Sequence, residues 1–214
     1  MPPVQRSVPG IGTTSKRAAF IGTRRVEEVS DFAHAAYLNL VEKMVGEGYT
    51  IRTGAAPGAD QLAAARALHL GGTVELVLPW KNYEALWVGC AMASYLEKVW
   101  VEVYDPYTHI AWGDSVHRYH PAVGKLNIRS FSLHARNYGI IEPCELVVAL
   151  PAPDRQGGTE QGIRIAEALE KRRIILESPR RGGSGRMVPS EDAPDPAGVA
   201  GWIPFQLDCT VVAQ

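Results

Sequence analysis

Two short clusters in this chain hold the residue types that bind phosphate. Gly22-Thr23-Arg24-Arg25 follows an apolar run. Its glycine lets a ligand approach the main chain, its threonine offers a hydroxyl, and its guanidinium groups can form forked bonds to phosphate oxygens. Gly157-Gly158-Thr159-Glu160 opens an amphipathic stretch. A helix starting there presents unpaired amides and the positive end of its dipole. The dipole alone contributes about 0.3–1 kcal/mol at an exposed site. Useful affinity therefore needs several amide bonds and a guanidinium together. A third cluster, Thr53-Gly54-Ala55-Ala56-Pro57-Gly58-Ala59-Asp60, is built of small residues and ends in a carboxylate suited to a ribose or sugar hydroxyl. Arg136 can hold a phosphate and Asn137 a base edge.

Each cluster also has a plain structural explanation. Thr159 can be the N-cap of the helix it opens, and Asp60 can cap the helix beginning beside it. Arg24 and Arg25 can be a solvated loop, and Arg136 can pair with an acidic side chain. What favours a site is where the elements put these residues.

Ala18-Ala19-Phe20-Ile21 reads as a buried first strand that stops at Gly22. Ser30 or Asp31 caps the next segment, where Phe32, Ala36, Leu40 and Met44 recur on one helical face until Gly46 and Gly48. Tyr49-Thr50-Ile51-Arg52 is a second strand, Ala59 to Leu70 a second helix, and Val74 to Leu78 a third strand halted by Pro79. From Trp80 to Pro143 the aromatic-rich chain reads as an irregular insertion holding one helix, Asn127 to Ile141. A fourth strand follows at Leu146 to Leu150, then a helix from Thr159 to about Lys171 and a fifth strand at Arg173 to Leu176. This alternation implies an α/β, Rossmann-like parallel sheet of about five strands with helices on both faces and the insertion between strands three and four. In the order 3-2-1-4-5, ligands bind where the order reverses, beyond strands one and four. Both phosphate-type clusters fall there.

Residues 17–178 thus form the expected nucleotide-binding domain, with 1–16 a flexible N-terminal segment. Residues 179–214 read as a linker, rich in Pro, Gly and charge, and an apolar tail expected to dock back on the domain or pair with an edge strand. The net charge of −1 argues against a general nucleic-acid coat. Three cysteines, Cys90, Cys144 and Cys209, stand in no metal or disulfide spacing. With no secretory leader and no membrane-length apolar run, the expectation is a cytoplasmic protein.

The loop from Gly54 to Asp60, the Pro79-Trp80 pair, Arg136-Asn137 and Gly157-Gly158-Thr159 resemble the SLOG superfamily. That group includes DNA-processing protein A, the lonely-guy phosphoribohydrolases and the YspA-type proteins, and the resemblance is strongest to the YspA type. It spans Ala18 to Leu176. It implies a Rossmann-like fold and a nucleotide-derived ligand, ADP-ribose-like in kind, held by Gly22, Thr23, Arg24, Gly54, Gly58, Asp60, Arg136, Asn137, Gly157, Gly158 and Thr159. It also suggests a homodimer.

Three functions follow. The first is a nucleotide-binding sensor or sequestering module. The second is an N-glycosidase, with Glu160 or Asp60 as the carboxylate at the ribosyl carbon. Against it, the lonely-guy pattern Gly-Thr-x-x-Glu has Gly162 at its last position here. Glu160, two residues earlier, points about 200° away around the helix. The third is a single-stranded DNA binder, for which Arg172, Arg173, Arg180, Arg181 and Arg186 supply local basic density. His117, His120 and His134 lack accompanying carboxylates and are not read as metal ligands. Gly10 to Lys16 lacks phosphate-loop spacing, and no Gly-x-Ser-x-Gly elbow exists. No cofactor is implied.

Overall fold

The computed structural model describes residues 16–178. Six parallel strands alternate with helices: β1 (Arg17–Gly22), α1 (Asp31–Gly46), β2 (Thr50–Thr53), α2 (Ala59–His69), β3 (Val74–Leu78), α3 (Ala85–Ser94), β4 (Val99–Val103), α4 (Ile110–Tyr119), α5 (Ile128–Ile141), β5 (Leu146–Leu150), α6 (Gly158–Ala168) and β6 (Arg172–Ile175). The sheet order is β4-β3-β2-β1-β5-β6. The expected five strands are present in their expected order. The sixth corrects the strand count and the picture of an irregular insertion. Residues 80–143 contribute the edge strand β4, paired along β3, as well as α3, α4 and α5.

Side-chain alternation sorts the sheet into two cores. On one face Ala18, Phe20, Ile51, Leu76, Val148 and Leu150 pack with residues of α1, α2 and α3. On the other, Ala19, Ile21, Val77, Val147 and Ala149 pack with α4, α5 and α6. The period of two within each strand produces this division, and helices on both faces explain why β5 is apolar throughout and β1 from Ala18 onward.

Local signals explain the helix ends. Ser30 caps α1, its hydroxyl accepting the Ala33 N–H at 3.2 Å. Asn127 does the same for α5 through the Ser130 N–H at 2.8 Å. Gly48, at φ +80°, reverses the chain after α1, and the Tyr49 N–H reaches back to the Met44 carbonyl at 2.9 Å. The cap of α6 is Gly157 (φ +97°), not Thr159, which lies inside the first turn. No side chain caps that helix, so its leading amides face the loop space in front of it.

Arg52 is the charged strand residue that is buried, among the described residues. Alternation turns it toward α5, where its Nε donates to the Gly139 carbonyl at 2.9 Å and Nη1 pairs with Glu75 at 2.7 Å. Its Nη2 pairs with Glu102 on β4. Arg17 reaches the same Glu75 at 3.0 Å. One buried guanidinium therefore joins β2, β3, β4 and α5.

Among the described residues, no helix is long and apolar enough to cross a membrane. The segments expected as flexible start, linker and docking tail lie outside the described residues, as do Arg180, Arg181, Arg186 and Cys209.

Candidate functional site

β1 neighbours β2 on one side and β5 on the other, so the strand order reverses between β1 and β5. The two strands run in register to their carboxyl ends, Gly22 opposite Leu150. The Thr23 N–H continues the ladder onto the Leu150 carbonyl at 2.8 Å. This brings the turns that follow β1 and precede α6 to the same end of the sheet, where they wall a cavity of about 440 Å³. That position and size suit a small-molecule site.

Gly22, Thr23 and Arg24 line it from the β1 turn, Asp60 from α2, Arg136 and Asn137 from α5, and Gly157, Gly158 and Thr159 from the start of α6. Gly54 and Gly58 do not line it; each serves a neighbour that does. A Cβ at Gly54 would sit 1.1 Å from Arg136 Nη1, so the bare backbone is the berth of that guanidinium. Gly58, at φ +93°, lies against the main chain of the β1 turn, where a Cβ would meet the Thr23 carbonyl oxygen at 2.6 Å. Gly22 has a similar packing reason, because a Cβ there would stand 2.3 Å from that of Ala59. The Ala59 N–H then donates to the Thr23 carbonyl at 3.1 Å. Small residues let α2 brace the β1 turn.

Asp60 and Arg136 form a buried pair at 3.5 Å, with side chains 6% and 6% exposed. Asp60 is not the capping residue of α2; it lies in the first turn, and its carboxylate accepts the Ala56 N–H at 3.3 Å. Burial raises its pKa above 3.8, opposed by Arg136 and by main-chain hydrogen bonds from Ala56 and Gly22. The Arg136 guanidinium lies over the Tyr83 ring, 5.7 Å from the centroid. Its Nε is buried with no hydrogen-bond partner among the described residues.

The other two arginines of the cavity differ. Arg25 donates to both Asp154 oxygens at 2.8 Å and pairs with Glu28, tying the β1 turn to the β5 turn. The hydrogen bond from Arg25 holds the Asp154 carboxyl below its ordinary range. Arg24 is exposed and donates to the Tyr83 hydroxyl at 3.0 Å. Glu160, one candidate for a catalytic carboxylate, does not line the cavity. Arg155, held at φ +54° in the turn before α6, pairs with it at 2.9 Å.

Sequence reasoning missed Tyr83, Gln161 and the role of His134. His134 lines the cavity. A signal existed: it lies three residues before Asn137 on α5, and that spacing shares a helix face. His120, at the end of α4, brings its ring 4.4 Å from that of His134, while the His117 ring faces Phe131. Among the described residues, no three His, Cys, Asp or Glu side chains gather as a metal would need.

No family model and no curated protein sequence matches the chain. The structure is similar to DNA processing protein A of Helicobacter pylori, a protein that binds single-stranded DNA. The TM-score is 0.53 at 19% identity, over 77% of this chain and 69% of that one. The two share a Rossmann-like fold over the aligned part. The Streptococcus pneumoniae DNA processing protein A aligns at a TM-score of 0.49 and 19% identity over 75% of this chain, which spans half the length of that protein. The Moco carrier protein of Chlamydomonas reinhardtii aligns at 0.41 and 16% identity, over 75% of this chain and 76% of that one. The likeness to DNA processing protein A concerns the Rossmann-like sheet and its helices, the architecture the sequence motifs imply.

Proposed function

We propose that the cavity binds a phosphate- and ribose-containing ligand, a nucleotide or nucleotide derivative, and that the protein senses or sequesters it. One observation carries this reading. The uncapped N-terminus of α6 and the partly unsatisfied guanidinium of Arg136 meet in one cavity at the β1–β5 reversal. Amides and dipole at a helix start favour an anion, and the Arg136 guanidinium in the cavity wall adds positive charge.

Binding is favoured over bond cleavage because the Glu160 carboxylate is already paired with Arg155. Single-stranded DNA, bound by the Helicobacter pylori protein, is less favoured because two of the three arginines lining the cavity are already paired, as is one on β6. Arg25 pairs with Asp154, Arg136 with Asp60, and Arg173 lies 3.8 Å from Glu167.

A thermal-shift panel of AMP, ADP, ADP-ribose and a thymidine oligonucleotide tests this. A ligand at about one hundred times its Kd stabilises by about 2.7 kcal/mol. A small nucleotide is expected to raise Tm, and Arg136→Met to reduce the shift. Stabilisation by the oligonucleotide alone, or by nothing, contradicts the proposal.

A further inference from the structure

The Gly158 carbonyl starts a chain of hydrogen bonds that fixes the state of a histidine in the cavity wall. A carbonyl only accepts, so the Asn137 group 3.2 Å from it is the amide nitrogen. The same Nδ2 donates to Gln161 at 3.0 Å, which makes the Gln161 atom there its oxygen, Oε1. His134 Nδ1 contacts that same Oε1. An amide oxygen cannot donate, so Nδ1 carries the proton. In the neutral ring, Nε2 then holds a lone pair and is the nitrogen not committed to Gln161. The orientation leaves Gln161 Nε2 buried without a partner among the described residues, so α5 and α6 hold this arrangement at some cost.

Resting on the phosphate-ligand reading above, we propose that His134 is a specificity residue. Its Nε2 accepts a hydrogen bond from an O–H or N–H donor on the non-phosphate part of the ligand, a sugar hydroxyl above all. The α6 amides and Arg136 are donors and hold the anion. Asp60 is already engaged by Arg136, Ala56 and Gly22. His134 supplies the acceptor that a polyol needs and a bare phosphate does not. Burial is the largest cause of its lowered pKa; Gln161 from α6 opposes it, and His120 from the end of α4 and Arg136 from α5 further disfavour the imidazolium.

Calorimetric titration with two probes separates this role from the anion site. Ribose 5-phosphate and propyl phosphate share the phosphate and differ in hydroxyl donors. The wild type is expected to prefer the ribose ester, with about three- to tenfold of that preference coming from one neutral hydrogen bond. His134→Phe is expected to lose that part while keeping its affinity for propyl phosphate, and His134→Gln, which can still accept, to retain some of it. The wild-type preference is also expected to shrink once pH falls through the lowered His134 pKa, beneath the ordinary 6.5, because the imidazolium has no lone pair. Propyl phosphate binding with a preference unchanged in both variants overturns the role of His134 and leaves the phosphate reading standing. Failure of both esters to bind the folded wild type overturns both.

Discussion

Asp60 is the residue with the clearest pH signature. Burial lifts its pKa above 3.8 despite the Arg136 guanidinium. The folded state therefore holds the Asp60 proton more tightly than the unfolded chain does. The stability this contributes is full below about 3.8 and is lost as pH rises through the elevated value. Urea denaturation of wild type and Asp60→Asn across that window checks the sign: the stability difference, wild type minus variant, should fall as pH rises. A difference that grows with pH would mean that Arg136 outweighs burial. The same residue shows what a sequence conveys about a site. Its type and loop placement were legible. That it faces Arg136 was not, because its partner lies 76 positions away on α5. His134 was legible only as one histidine of three, since its tautomer depends on Asn137 and Gln161.

At the scale of elements, the strands β1, β2, β3, β5 and β6 announce themselves because each ends at a glycine, a proline or a turn after an apolar or β-branched run. The edge strand β4, Val-Trp-Val-Glu-Val before Asp105-Pro106, carries the same signal but stands within the aromatic-rich stretch read as an irregular insertion. It is only partly buried, and its charged Glu102 is held by Arg52 from β2, a long-range pairing that no local pattern reports. That pairing also gives β4 its expected weakness. Arg52→Ala leaves Glu75 paired only with Arg17 and the Gly139 carbonyl without its donor, and should cost at most about 3–5 kcal/mol, the range for breaking a buried pair. It should fall toward the lower figure because Glu102 is 40% exposed. Amide exchange should quicken first in β4, while β1 and β5 stay protected. Equal loosening across the sheet would show that Arg52 does not anchor the edge. Glycines follow the same logic: their positions were legible, but the bodies they admit were not. Gly54 admits Arg136, Gly139 admits Trp112 and Gly162 admits Ile21.

For the whole molecule, the central claim is that the start of α6 accepts an anion in the cavity that the β1 turn walls. An amide-resolved NMR titration of the full chain with AMP tests this most directly. The largest shifts are expected at Gly22, Thr23, Gly158 and Thr159, with smaller ones along α5 near Arg136. Shifts centred on Arg172 and Arg173 of β6, or saturable binding that leaves the Gly158 and Thr159 amides unmoved, would contradict the account.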